Sequence, residues 1–131
     1  MTALLPLILV VDDVPETRRL MRRLLERGRF RVIEAENGEE AFKSIRASRP
    51  KLVVLDLRLP KMSGFEVARA VRSDPDPDVA ATVLMACSAS VHTEVQQEAF
   101  EAGCDAFEGK PFDVRRFADR VREVIAQHSR R

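Results

Sequence analysis

Short apolar runs alternate along this chain with longer segments in which apolar residues recur at helical spacing, and this alternation limits the folds open to it. Runs that read as strands stand at 7–11, 30–35, 52–56, 82–87 and 105–108. Segments of helical period follow each of them, at 15–28, from the Asn37-Gly38 pair onward, and at 64–73, 91–102 and 113–127. The stretch SDPDPD at 73–78 is predicted to be a loop, because aspartate and proline interrupt both kinds of element.

Strands that alternate with helices predict a parallel sheet with helices on both faces, since right-handed crossovers place them there. We therefore expect a doubly wound α/β fold. A length of 131 residues suits one domain with a single core, so 1–131 is predicted to be one domain with its folded part at about 7–127. In such sheets polar chemistry collects outside the carboxyl ends of the strands.

Composition excludes several classes of function. Hydrophobic residues make up 45% and charged residues 33% of the chain, as in ordinary soluble globular proteins. A net charge of +1 lacks the basic excess of nucleic-acid-binding domains, so no direct contact with nucleic acid is expected. The apolar start MTALLPLILVV ends at an aspartate pair, which argues against a signal peptide or membrane insertion. Cys87 and Cys104 are predicted to be buried free thiols in a reducing cytoplasm.

Reactive side chains stand at four of the predicted strand ends. They are Asp12 and Asp13 after the first strand, Asp56 at the third, Ser88 at the fourth, and Lys110-Pro111 after the fifth. Three carboxylates in one pocket repel one another unless a cation balances them, and Mg²⁺ is a hard ion that prefers oxygen ligands. Because a lysine and a hydroxyl would complete a phosphoryl-transfer site, Asp56 is predicted to be the nucleophile and its product an aspartyl phosphate.

Each of these residues also has a simpler interpretation. Asp12 and Asp13 could begin a helix, and Asp56 could be a turn residue. Ser88 or Ser90 could cap the helix that follows, and Lys110 could be an ordinary solvated lysine. Helix caps and turns do not require three acids, a hydroxyl and a lysine at the strand ends, so the combination favours a site.

The motifs VVDDVPETR, LVVLDLRLPKMSGFEV, CSAS and GCDAFEGKPF are together highly specific. Through them the chain resembles, from about Leu7 to Gln127, a response-regulator receiver domain, the phosphoacceptor module of bacterial two-component signalling. The resemblance implies a flavodoxin-like (βα)5 fold with strand order 2-1-3-4-5. It also implies a signalling switch that assists its own aspartyl phosphorylation and dephosphorylation, rather than a conventional enzyme.

The same resemblance implies a metal site. Asp13 would bind Mg²⁺ directly, with Mn²⁺ as an alternative ion, and Asp12 would bind it through water. Asp56 would contact the ion and accept the phosphoryl group, and the backbone carbonyl of Arg58 would supply a further ligand.

The resemblance further implies a switch beside this site. Ser88 would bond the phosphoryl group, Lys110 would pair with it, and the Lys110-Pro111 peptide would be cis. Phe107 matches the aromatic switch position, with an ordinary core aromatic as the alternative. Serine replaces the more frequent threonine at 88, and phenylalanine replaces tyrosine at 107, so a phenolic hydrogen bond is lost. Arg58 and Ser90 lie where the family tunes hydrolysis.

The implied partners are a phosphohistidine donor, on a sensor histidine kinase or a histidine phosphotransfer protein, and an unknown downstream protein. Arg18, Arg19 and Arg22 form a basic face of the first predicted helix, and we expect this face to help dock the donor. A solvated arginine face is the alternative.

Because no residues remain for an effector domain, a stand-alone regulator is expected, with the excised receiver of a hybrid histidine kinase or larger regulator as the alternative. A haloacid-dehalogenase-like phosphatase also uses an aspartate at a strand end, but its motif requires a second aspartate where Arg58 stands. A degenerate receiver that serves only as a scaffold is disfavoured, since all the reactive positions are filled.

Overall fold

A parallel sheet of five strands forms the centre of the computed structural model, which describes residues 4–128. The strands are β1 (Leu7–Val11), β2 (Arg31–Ala35), β3 (Leu52–Asp56), β4 (Val83–Ser88) and β5 (Ala106–Gly109). Hydrogen bonds join them in the order β2-β1-β3-β4-β5, with every neighbouring pair parallel. This order confirms the doubly wound, flavodoxin-like α/β fold, and it makes β1, β3 and β4 direct neighbours.

Helices connect the strands and pack on both faces of the sheet. Within residues 4–128 they are α1 (Pro15–Arg27), α2 (Gly38–Ser48), α3 (Gly64–Arg72), α4 (Pro77–Ala80), α5 (Thr93–Ala102) and α6 (Phe117–His128). None of these helices is both long enough and apolar enough to cross a membrane.

Two apolar cores lie on opposite faces of the sheet, one beneath α2, α3 and α5 and the other beneath α1 and α6. Successive residues of β1 alternate between them. Leu9 and Val11 belong to the first core, and Ile8 and Val10 to the second. Because helices cover both faces of the sheet, an inner strand is apolar on both of its sides, and this explains why LILVV of β1 reads as an unbroken apolar run.

Side-chain caps fix the starts of α2 and α3. Asn37 Oδ1 accepts a hydrogen bond of 2.9 Å from the backbone N–H of Glu40. Ser63 and Glu66 form a reciprocal capping box, in which each side chain accepts from the backbone N–H of the other. The capping box ends the loop that follows Asp56, so this loop is anchored at both of its ends.

The sequence predicts that the SDPDPD stretch at 73–78 is a loop, but its last two residues, Pro77 and Asp78, begin α4. Proline suits the first turn of a helix, where its missing N–H is not needed, and Pro77 begins the helix. Asp76 caps it by accepting a 2.9 Å hydrogen bond from the N–H of Asp78. Prolines and aspartates spaced in this way can therefore also begin a short helix.

The last helix starts later than its apolar period predicts, at Phe117 rather than at residue 113. Asp113 Oδ1 accepts a 2.9 Å hydrogen bond from the N–H of Arg115, and this bond holds the preceding residues in a turn. Val114, which the sequence places on the apolar face of the helix, is therefore 49% exposed.

Candidate functional site

Three carboxylates lie together at the carboxyl edge of the sheet. Asp12 and Asp13 directly follow β1, and Asp56 is the last residue of the neighbouring β3. One carboxylate oxygen of each residue lies within 4.8 Å of the other two. Asp12 and Asp56 are buried, whereas Asp13 is exposed, so the cluster is accessible from solvent at Asp13.

Lys110 adds a positive charge to this cluster from the segment after β5. Its Nζ donates to Asp12 Oδ2 at 2.7 Å and lies 3.6 Å from Asp56 Oδ2. Its backbone N–H donates to the Ser88 carbonyl at 2.8 Å, and its peptide bond to Pro111 is cis. Burial alone would lower the pKa of Lys110, but the hydrogen bond to Asp12 and the charge of Asp56 outweigh burial and raise it. The ammonium group therefore stays charged at neutral pH.

The Asp56 carboxylate has surroundings that both oppose and favour its charge. Burial raises the pKa of Asp56, and the charges of Asp12 and Asp13 act in the same direction. Lys110 lowers it, as does the backbone N–H of Arg58, which donates to Asp56 Oδ1 at 3.1 Å. The pKa of Asp56 is raised overall, so its surroundings disfavour the carboxylate. A further cation beside Asp56 would favour the ionised form.

Gly64 allows α3 to begin directly against the end of β3. A Cβ atom at Gly64 would lie 2.4 Å from the Asp56 carbonyl oxygen and 2.7 Å from Leu57 Cα, far inside van der Waals contact. The Gly64 N–H donates to the Leu57 carbonyl at 3.1 Å. Only glycine fits this close approach, so the position of the Asp56 backbone depends on it.

The donor set fits a hard divalent cation. Mg²⁺ prefers oxygen ligands and holds opposite ligands roughly 4 Å apart, a distance compatible with the 4.8 Å limit on the carboxylate oxygens. It usually keeps several waters and takes only one or two carboxylates, which suits a cluster that solvent reaches at Asp13. The donor chemistry therefore fits the predicted ion, with Asp12, Asp13 and Asp56 as the residues that would hold it.

Ser88 lies at the same edge as the carboxylates. In the sheet register Asp56 is opposite Cys87, so Ser88 stands one residue beyond Asp56. Its side chain is buried, and its Oγ accepts a 3.1 Å hydrogen bond from the N–H of Ser90. A hydroxyl that accepts in this way keeps its own proton available for donation.

Phe107 lies on β5, the strand beside that of Ser88, where its register partner is Ala86. Its ring is partly buried and packs against the core beneath α2, α3 and α5. This packing is compatible with a core aromatic and with a switch residue. The switching roles of Ser88 and Phe107 therefore stay predictions.

The arginines of α1 differ in their surroundings. Arg18 Nε donates to Glu34 Oε1 at 2.8 Å, and its Nη1 donates to the Asp12 carbonyl at 2.8 Å. Arg22 Nη1 donates to Glu34 Oε2 at 2.6 Å. Arg19 is exposed, so the docking hypothesis applies best to Arg19, because Glu34 balances part of the charge of the other two.

Glu34 is not among the residues that the sequence predicts for this region, yet it organises the arginines of α1. The hydrogen bond from Arg22, and secondarily that from Arg18, hold the pKa of Glu34 below its ordinary value against the opposing effect of burial. An acid inside the strand segment RVIEA is the one signal that could have indicated it. The sequence separation of 16 residues between Glu34 and Arg18 follows no helix or turn spacing.

Comparison with known proteins identifies the family. The family model of the response regulator receiver domain matches residues 8–122. The transcriptional regulatory protein ResD of Bacillus subtilis (strain 168) is 37% identical over 122 residues, which are 93% of this chain and 49% of that protein. This chain thus spans about half the length of the curated relatives it matches.

Solved structures share the fold over most of their length. The chemotaxis response regulator CheY4 of Vibrio cholerae matches 92% of this chain and 98% of its own, with a TM-score of 0.85 at 25% identity. A two-component response regulator of the LuxR family from Aurantimonas sp. SI85-9A1 matches 95% of this chain and 87% of its own, with a TM-score of 0.84 at 30% identity. The chain therefore belongs to the response regulator receiver domain family.

Proposed function

We propose that this chain is the phosphoacceptor of a two-component phosphorelay and takes a phosphoryl group from phosphohistidine onto Asp56. The observation that carries the proposal is the cluster of three carboxylates, with Lys110 Nζ 3.6 Å from Asp56 Oδ2. Enzymatic phosphoryl transfer depends mostly on positioning and charge neutralisation, and this cluster can supply both. Receiver domains are signalling switches, and we propose that this one assists its own phosphorylation and dephosphorylation.

In the proposed step, a carboxylate oxygen of Asp56 attacks the phosphorus atom. The bond between phosphorus and the imidazole nitrogen of the donor breaks, and its electron pair returns to that nitrogen. The N–H of Arg58 holds Asp56 Oδ1, and the ammonium group of Lys110 faces Oδ2, so the carboxylate has a fixed orientation. The product is an aspartyl phosphate, and attack of water on it resets the switch.

Asp12, Asp13, Asp56 and the carbonyl of Arg58 are the proposed ligands of Mg²⁺ or Mn²⁺. A divalent ion at this site would neutralise the carboxylates and the phosphoryl oxygens. Asp13 is exposed, which suits direct coordination. Both oxygens of Asp12 already accept hydrogen bonds, from the Val14 N–H and from the Lys110 side chain, and this supports a contact through water.

The proposed response to phosphorylation passes through Ser88 and Phe107. The Ser88 hydroxyl would donate to a phosphoryl oxygen, and Phe107 on the next strand would turn further inward as the loop after β4 moves. Arg58, two residues after Asp56, and Ser90, two residues after Ser88, are proposed to set the rate of hydrolysis.

A sensor histidine kinase or a histidine phosphotransfer protein is the proposed donor. We propose that residues 1–131 act as one domain on a downstream protein, without direct contact to nucleic acid. The receiver of a hybrid histidine kinase or of a larger regulator is the alternative, and ResD is about twice as long as this chain. An immunoblot of native lysate separates the two, since a stand-alone regulator gives a band at the mass of the 131-residue chain. The cytoplasmic location stays a prediction.

Phosphoramidate, which carries the same phosphorus–nitrogen bond as phosphohistidine, tests the transfer without a protein partner. In the presence of Mg²⁺ we expect one phosphoryl group per chain, and no labelling with a chelator or in Asp56→Asn. The control Asp78→Asn removes an exposed carboxylate of α4 and should be labelled like the wild type. Labelling of Asp56→Asn to the wild-type level would overturn the proposal.

The phosphatase alternative is not favoured, because arginine occupies the position two residues after Asp56. Such an enzyme would release phosphate continuously from p-nitrophenyl phosphate. The receiver is expected instead to be labelled once per chain and to leave this ester intact.

A further inference from the structure

We propose that Arg18 is a positioning residue for the cation site, because it holds the peptide between Asp12 and Asp13 in the orientation that the site needs. This inference rests on the proposed function, since it concerns how the chain arranges the ligands of the divalent ion. It gives Arg18 a different role from donor docking.

Asp12 is held from both sides of its backbone. Its N–H donates to the Ala35 carbonyl of β2 at 3.2 Å, and its carbonyl accepts from Arg18 Nη1 at 2.8 Å. A peptide unit is planar and rigid, so a bond that fixes the Asp12 carbonyl also fixes the direction in which Asp13 leaves the strand. The exposed carboxylate of Asp13 is thereby aimed by a side chain that does not contact it.

Arg18 is itself held in place. Its Nε donates to Glu34 Oε1 at 2.8 Å, and its side chain is only 14% exposed. The second oxygen of Glu34 accepts from Arg22 Nη1 at 2.6 Å. Glu34 directly precedes Ala35, so two neighbouring residues of β2 hold the backbone of Asp12. The Ala35 carbonyl binds the Asp12 N–H directly, and Glu34 holds the Asp12 carbonyl through Arg18. An arginine on a freely solvated face would not bridge two fixed groups in this way.

The sign of the effect on metal affinity separates positioning from simple electrostatics. Removing a positive charge near a cation site should tighten cation binding if only charge matters. Removing a positioning group should weaken it, because the ligands lose their arrangement. Replacing partners that orient metal ligands typically weakens metal affinity roughly 10- to 100-fold.

The test is a titration of the purified chain with Mn²⁺ alone, with free Mn²⁺ measured by electron paramagnetic resonance. We expect Arg18→Met to bind about 10-fold more weakly than the wild type. Arg19→Met is the matched control, since it removes the same charge from the next, exposed residue, and it should bind as tightly as the wild type or slightly more tightly. Thermal unfolding without metal shows whether each variant is folded.

Arg18→Lys keeps the charge and gives a second, milder variant. A single ammonium group cannot span the Asp12 carbonyl and Glu34 together, so positioning predicts weaker Mn²⁺ binding, whereas electrostatics predicts no change. Wild-type affinity in folded Arg18→Lys, or wild-type or tighter affinity in folded Arg18→Met, would overturn the inference. If the wild type itself binds no Mn²⁺, the proposed function fails, and the inference fails with it.

Discussion

The ammonium group of Lys110 donates to the buried carboxylate of Asp12 across 2.7 Å and so joins the segment after the last strand to the end of the first. The same nitrogen lies 3.6 Å from Asp56 Oδ2, so one cation faces two of the three acids. With all groups ionised, three carboxylates and one ammonium leave two negative charges at this edge of the sheet. A divalent cation would balance that charge.

We predict that Asp56→Asn is more stable than the wild type when divalent cations are chelated. Burial raises the pKa of Asp56 in the folded chain. When the pKa of a carboxyl group is higher in the folded than in the unfolded chain, the folded chain loses stability as the pH rises from the unfolded pKa towards the folded pKa. At neutral pH the charge of this group therefore opposes folding. Urea unfolding at pH 7 should give a higher free energy of unfolding for Asp56→Asn than for the wild type.

Glu101→Gln is the control for this comparison, since it removes an exposed carboxylate of α5, and its unfolding free energy should stay close to that of the wild type. A loss of stability in Asp56→Asn would contradict the idea that the acidic cluster strains the fold at neutral pH.

Added Mg²⁺ is predicted to stabilise the wild type. An ion that binds only the folded chain stabilises it by about 2.7 kcal/mol at 100 times its dissociation constant. In Asp13→Asn, which loses the predicted direct ligand, the unfolding transition should stay nearly constant across the same titration. Thermal unfolding at increasing Mg²⁺ measures both, and equal shifts in the two proteins would count against a site at Asp13.

The fold could be predicted from the sequence where burial on both faces leaves an unmistakable pattern. The run LILVV of β1 and the first four residues of β3, LVVL, are apolar because they pack into both cores, and the ends of these two strands mark the site. The start of α6 could not be predicted, because the side chain of Asp113 stabilises a turn where the apolar period continues through Val114. Local hydrogen bonding of this kind leaves no periodic signal.

The part of the site whose residues stand at strand ends could be predicted from the sequence. Asp12, Asp13, Asp56 and Lys110 meet as their positions imply, since parallel strands bring their carboxyl ends to one edge. The link from Glu34 through Arg18 to the Asp12 carbonyl could not be predicted, because it depends on how α1 lies over β2. Such packing is decided by tertiary structure and not by residue spacing.

Glu34→Gln is predicted to destabilise the chain in a pH-dependent way. The hydrogen bond from Arg22 holds the pKa of Glu34 below its ordinary value. The contribution of the Glu34 carboxylate to the stability of the fold is therefore present above its unfolded pKa of about 4.3. This contribution is lost as the pH falls through the lower pKa of Glu34 in the folded chain. We expect a loss of about 0.5 to 1 kcal/mol at pH 7, limited by partial exposure, and a shrinking difference below about pH 4.

Urea unfolding midpoints at pH 7 and at pH 4 or below measure this difference, with Glu36→Gln, an exposed residue just after β2, as the control. A difference from the wild type that stays the same at both pH values would show that the charge of Glu34 is not responsible.

The two cysteines are predicted to be unreactive in the folded chain. Burial raises the pKa of Cys87 to about 12 and that of Cys104 to about 11. Because the thiolate is the reactive form, Ellman's reagent at pH 8 should label neither residue within minutes under native conditions. In urea it should label two thiols per chain. Rapid labelling of the native protein would show that one of these thiols is accessible.

The identity of the phosphorylated side chain tests the central claim most directly. After reaction with phosphoramidate and Mg²⁺, borohydride reduces an aspartyl phosphate to homoserine, and trypsin releases the peptide of residues 52–58 for mass spectrometry. Phosphotransfer to Asp56 predicts homoserine at position 56 of that peptide, and only in the phosphorylated sample. Homoserine at position 12 or 13 instead, or an unmodified 52–58 peptide in a sample that carries label, would contradict it.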